Sequence, residues 1–173
     1  MIGHPGILCP MSLEKPSIRP GETTLSFDAG TADDARLVFI GRIRSPWSNR
    51  AECPKNMRLA REAKQGATVE LFDPFRAALQ SLETGRFVHL LTWLHQSRRD
   101  LAVQMPRSAE SSSGTFALRS PVRPNPIGLH LVRLLDVDME TGRLTIDAID
   151  VLDGTPLLDI KPYFESVDRP SEA

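Results

Sequence analysis

Apolar residues in this chain recur at period two in short runs, each cut off by turn-forming residues, and this limits the fold more than any other feature. Residues 129–137 and 143–149 both alternate. The polar stretch 138–142 between them makes them a hairpin with a longer loop. Residues 37–43, 68–72 and 156–160 read as further strands, with Gly41 marking a bulge in the first. Residues 87–95 are apolar on both faces, which suits a buried central strand, and 115–118 resumes an extended pattern. Helical spacing is confined to Phe75, Ala78, Leu79 and Leu82, after Pro74 and before Gly85. Short strands without βαβ alternation imply a mostly β chain, either a sandwich or a small closed or nearly closed β-barrel with one or two short helices.

Residues 1–35 break any periodicity with Pro5, Pro10, Pro16 and Pro20, so they are expected to form a flexible extension. The domain proper is expected over residues 36–168, with a short tail over 169–173. At 173 residues, 40% hydrophobic and 25% charged, the chain has the makeup of one ordinary globular domain. Its 21 Lys and Arg offset 22 Asp and Glu, which argues against a general nucleic-acid coat but leaves room for a local basic site. Arg42, Arg44, Arg50, Lys55, Arg58 and Arg61 are the candidates for such a phosphate-contacting stripe. Cys9 and Cys53 have neither metal-ligand spacing nor the density of a disulfide scaffold, so a cytoplasmic protein without a metal is expected. No run approaches the roughly 20 apolar residues that cross a bilayer, so no membrane association is expected.

The chain carries no G-x-G-x-x-G after a strand, no G-K-[ST] phosphate loop, no H-E-x-x-H and no G-x-S-x-G. Its most unusual segment is Arg119-Ser120-Pro121-Val122-Arg123-Pro124-Asn125-Pro126-Ile127-Gly128. Three prolines fix φ there and hold Arg123 and Asn125 extended. A stiff backbone that displays guanidinium forks and an amide loses little entropy on binding a carboxylate, a phosphate or a base edge. The same residues also suit a rigid connection with solvated arginines. A second segment, 150–163, places an Asp-Gly turn at Asp153-Gly154 between apolar stretches. Such a turn serves a hairpin as readily as a ligand.

Together, R-S-x-x-R-P-N-P-I-G and the downstream D-G-T-P-x-x-D-I-K-P-Y resemble the motif pair of the TsaA/TrmO family. Ile40-Gly41-Arg42-Ile43-Arg44-Ser45-Pro46-Trp47 is similar to the family's opening I-G-x-I-x-S-P-[FY], and Phe87-Val88-His89-Leu90 to its F-x-H-[LIV]. The resemblance implies a β-barrel methyltransferase that dimerises, binds S-adenosylmethionine and methylates threonylcarbamoyl-adenosine beside the tRNA anticodon. Carried over by position, it puts cofactor contacts on Pro54, Lys55, Asn56, His95, Gln96, Arg119, Leu129, Asp153, Gly154, Thr155 and Pro156. Arg123 and Asn125 are the residues expected to shape the methyl-transfer pocket. His95 is expected as a ligand contact rather than a base, and His89 as a core histidine. The family's P-R-Q appears here as Pro54-Lys55-Asn56, replacing a planar fork by a point charge and shortening the amide. That departure leaves open a methyltransferase acting on another RNA or a small molecule, or a non-catalytic module that binds the cofactor.

Overall fold

Six of the short strands close on one another. In the computed structural model, which describes residues 17–107 and 109–170, the strands are β1 (Thr23–Thr24), β2 (Gly41–Arg44), β3 (Ala67–Leu71), β4 (Phe87–Trp93), β5 (Leu101–Gln104), β6 (Ser113–Gly114), β7 (Ile127–Asp138), β8 (Arg143–Ile146) and β9 (Pro156–Pro162). A closed barrel runs β2-β3-β8-β7-β4-β9, and a small sheet β1-β5-β6 stands apart from it. Two short helices, α1 (Met57–Glu62) and α2 (Glu165–Asp168), and 3₁₀ turns over Asp73–Leu79 and Thr115–Ala117 complete the chain. The expected mostly β barrel is therefore the observed fold.

Alternation explains the barrel's interior. Ile43, Val69, Val88, Leu90, Val132, Leu134, Leu144 and Ile146 are all fully buried, and each is followed or preceded by a more exposed neighbour. Long β7 pairs with β4 from Phe87↔Arg133 to Trp93↔Ile127, and with β8 from Leu134↔Ile146 to Asp138↔Arg143. Gly142, at φ 71°, supplies the left-handed turn residue of that hairpin. β9 closes the ring against β2 through only Gly41↔Leu157 and Arg42↔Pro156. The Asp153 turn reinforces this seam: Ile43 N–H donates to Thr155 O at 2.8 Å, and Gly154 N–H to Ile43 O at 2.9 Å.

Several local expectations are corrected. Leu37 and Val38 are exposed and precede the ladder, which starts at Gly41. Gly41 is no bulge: a Cβ there would lie 2.4 Å from the Glu70 carbonyl oxygen, so glycine permits close backbone approach. The ladder's irregularities fall at Leu91/Thr92 and Leu134/Asp136 instead. β4 is central, but only Val88, Leu90 and Thr92 are buried, so it has one core face. Thr115–Ala117 form a 3₁₀ turn rather than an extended run, and only Leu118 after them is extended. Ahead of the barrel, Thr23 pairs with Val103 and Thr24 with Leu101. Cys9 and residues 1–16 lie outside the described residues, as do 171–173.

Candidate functional site

Within the barrel, inward positions on β4 and β7 change from apolar to polar at one end. Val88 and Leu90 give way to Thr92 on β4, and Leu134 and Val132 give way to His130 and Gly128 on β7. At this end a cavity of about 1050 Å³ opens, at the upper end of the size of pockets that enclose small ligands. Four stretches line it: the loop into α1, the residues that follow β4, the proline-braced arginine loop with the start of β7, and residues between β8 and β9. Its charged lining is mostly cationic, with Arg50, Lys55, Arg58, Arg119 and Arg123 against the carboxylate of Asp150.

Nine of the residues singled out from the sequence line the cavity: Pro54, Lys55, Asn56, His95, Gln96, Arg119, Arg123, Leu129 and Thr155. Their side chains are not equally free. Asn56 Oδ1 accepts from Leu59 N–H at 3.0 Å and so caps α1. Arg123 donates to the carbonyls of Thr115 at 3.2 Å and Leu118 at 2.6 Å, while its buried Nε finds no partner among the described residues. Arg119 is exposed and donates to Leu129 O at 3.2 Å, and Arg50 reaches Gln96 O at 2.6 Å. Desolvation lowers the pKa of His95, partly offset by a hydrogen bond to the Trp93 backbone. Desolvation, reinforced by the Asp150 carboxylate, pushes the Cys53 thiol up to about 11.

Asn125, Asp153, Gly154 and Pro156 are outside the lining. The reason is visible in their bonds. Asp153 accepts from Ser45 N–H at 3.1 Å and from Arg44 at 3.3 Å, and its own N–H donates to Trp47 O at 2.8 Å. Gly154 adopts φ 76° to make the turn, and Pro156 is buried at the start of β9. Asn125 Oδ1 accepts from Arg99 at 3.3 Å. Arg99 lies over the Trp93 ring at 5.3 Å and also donates to Pro124 O, so one side chain braces the arginine loop from outside the motif.

The basic stripe is largely neutralised. Arg42 and Arg44 meet Glu70 at 2.8 and 3.0 Å, Arg143 joins them at 3.4 Å, Arg58 pairs with Glu62 at 2.6 Å, and Arg61 with Asp147 at 3.1 Å. His89 faces outward, half-buried, with Tyr163 at 5.8 Å between ring centroids and Asp168 at 3.5 Å, rather than in the core. The sequence reading missed a buried polar group altogether. His130 Nδ1 is 2.6 Å from Asp150 Oδ1, and its Nε2 is 2.9 Å from Thr92 Oγ1. A histidine at an inward position of an alternating strand was the available signal.

A rigid closed wall, a polar cationic mouth and a cavity large enough for a nucleotide-sized molecule define a ligand-binding β-barrel. The model of the tRNA-methyltransferase O N-terminal domain matches residues 42–169, and the chain belongs to this TrmO family. A crystal structure of TrmO from Pseudomonas aeruginosa is 37% identical with a TM-score of 0.62, covering 80% of this chain and 60% of that one. The "Probable S-adenosyl-L-methionine-binding protein VirR" of Rhizobium radiobacter is 41% identical over 129 residues, which is 75% of this chain and 71% of VirR. An "S-adenosyl-L-methionine-binding protein" of Archaeoglobus fulgidus is 34% identical over 132 residues, 76% of this chain and 91% of that protein. The chain thus spans about three fifths of the solved TrmO chain.

Proposed function

We propose that the chain binds S-adenosylmethionine at the barrel mouth and transfers its methyl group to threonylcarbamoyl-adenosine in tRNA, acting as a homodimer. The observation that carries this reading is the cavity itself, where both motif segments and the Pro54-Lys55-Asn56 loop converge in a chain of the TrmO family. The residues present fit the cofactor. Arg123 Nε is a buried donor with no partner among the described residues, exposed Phe116 and Leu129 offer apolar faces, and Asp150 gives an anionic counterpart to positive charge. Bound there, the cofactor would supply an electrophilic methyl on a sulfonium. Arg119 and Arg123 orient it, His95 and Gln96 contact it from the end of β4, and the stiff walls limit water.

The cationic lining favours a polyanionic acceptor such as RNA. A second reading, methyl transfer to another RNA or to a small molecule, is favoured by Asn56. Its side chain caps α1, which commits the amide oxygen to Leu59 N–H rather than to a ligand. Calorimetric titration with S-adenosylmethionine, followed by transfer to tRNA bearing threonylcarbamoyl-adenosine, tests the proposal. Binding with transfer is the expected result, binding without transfer to that tRNA moves the assignment to the second reading or to a binding module, and absence of binding refutes it. Arg119→Ala is expected to weaken cofactor binding by about tenfold to a hundredfold, as for loss of a charge-assisted hydrogen bond, and unchanged affinity removes Arg119 from the site.

A further inference from the structure

Methylating a nitrogen or oxygen that carries hydrogen leaves a proton to be taken up, and the cavity's lining narrows what can take it. Arginine and lysine side chains are donors without an acceptor. Cys53, its thiol pushed up to about 11, stays protonated at neutral pH. His95 stands where desolvation disfavours an imidazolium. His130 is set apart by its contacts. It lines the cavity, is buried, and is held at both ring nitrogens, by Asp150 at 2.6 Å and by Thr92 at 2.9 Å.

We propose that His130, backed by Asp150, takes the proton from the methyl acceptor, so that the cavity serves acceptors whose nucleophilic atom bears hydrogen. The inference rests on the methyltransferase reading given above. A carboxylate on Nδ1 fixes that nitrogen as the protonated one and leaves the Nε2 lone pair directed at Thr92 Oγ1. The Thr92 hydroxyl donates to Nε2 at rest and its oxygen accepts from Nε2 once the ring is protonated, since a hydroxyl serves either way without leaving its place. No side chain at position 128 screens this bond, because a Cβ on Gly128 would fall 2.4 Å from both His130 Nε2 and Thr92 Oγ1, and Gly128 itself lines the cavity. As the acceptor's new bond to the methyl carbon forms, the C–S bond breaks with its electron pair remaining on sulfur as a thioether. The acceptor's proton goes to Thr92 Oγ1 as the hydroxyl's own proton moves to Nε2. The positive charge that leaves the sulfonium thereby reappears on the imidazolium, beside the Asp150 carboxylate.

The test has a readout that needs neither cofactor nor acceptor. Long-range ¹H–¹⁵N spectra of the histidine-labelled full chain, with His130 assigned by its loss in His130→Gln, are expected to show the Nδ1–H tautomer, and an Nε2–H tautomer overturns the proposal. In transfer assays, His130→Ala is expected to lower turnover by at least about a hundredfold, the lower end of a general base's contribution, while cofactor Kd stays within about threefold. Added imidazole is then expected to restore part of the lost rate, as for a base removed from a cavity, and no restoration counts against the assignment. Turnover within about threefold of wild type refutes the assignment. If the wild-type chain binds the cofactor but methylates no such tRNA, the substrate reading fails, and the tautomer still decides the state of His130.

Discussion

Gly128→Ala adds one methyl group at the point where β7 passes the His130–Thr92 bond. That methyl would lie 2.4 Å from each of two side-chain atoms whose residues are 5% and 0% exposed, so neither has solvent to retreat into. Overpacking of a buried site costs about 1–3 kcal/mol. Parting Thr92 from His130 leaves buried polar groups unsatisfied, for about another 1–3 kcal/mol. Replacing glycine within a strand returns roughly 0.5–1 kcal/mol of backbone entropy. The net expectation is a loss of about 1–5.5 kcal/mol, and at about 2–4 °C per kcal/mol the midpoint falls by roughly 2–22 °C. Urea unfolding with an unchanged slope measures it. Gly114→Ala is the control, since a Cβ there meets nothing within 4 Å, and it is expected to stay within about 0.5 kcal/mol of wild type. A Gly128→Ala chain as stable as that control refutes the claim that the ring and the hydroxyl are fixed in place.

Trp47→Phe keeps the ring's packing but removes the 2.8 Å hydrogen bond from Trp47 Nε1 to Ile149 O, leaving a buried carbonyl for a cost of about 1–3 kcal/mol by urea unfolding. Cys53, with its thiol pushed from 9.0 up to about 11, is expected to show about a hundredfold less thiolate than an ordinary cysteine at neutral pH, and alkylation followed by peptide mass mapping separates it from Cys9. Because the folded thiol holds its proton longer than the unfolded one, its contribution to stability is intact at neutral pH and erodes as pH climbs from 9.0 to about 11. Burial alone would raise Glu70, but the Arg42 and Arg44 hydrogen bonds outweigh it and hold its pKa below the usual value. Its contribution is therefore present above about pH 4.3 and lost as pH falls through the depressed value, so thermal midpoints of wild type and Glu70→Gln are expected to converge in acid.

What the sequence made legible follows from which physical signal dominated locally. β7, β8 and the turn between them could be read because a half-buried hairpin must alternate and Gly142 punctuates it. β5 and β6 could not, since Leu101-Ala102-Val103-Gln104 does not alternate between apolar and polar and two residues carry no pattern at all. α1 was lost inside a basic stretch, although Asn56 one residue ahead of Met57 was its cap signal. In Leu37 and Val38 apolar character suggested a strand that the ladder does not include, because no partner reaches them before Gly41. The motif residues gave the site's neighbourhood, while Thr92, His130 and Asp150 lie apart in sequence: the β4–β7 register brings Thr92 to His130, and the stretch after β8 brings Asp150. The ion pairs that silence Arg42, Arg44 and Arg61 are equally invisible before the strands are placed side by side.

A ring of strands is only as secure as its shortest joint. β2 and β9 share two paired positions, and at one of them Pro156 has no N–H to give, so the wall's hydrogen bonding is thinnest where the chain's first and last barrel strands meet. Breathing of the barrel should begin along that line, and amide exchange near Gly41 and Leu157 should outpace exchange in the long β4–β7 joint. The Asp153 turn, which stitches across the same line, then acts as a clasp, and its tightness sets how often the wall parts.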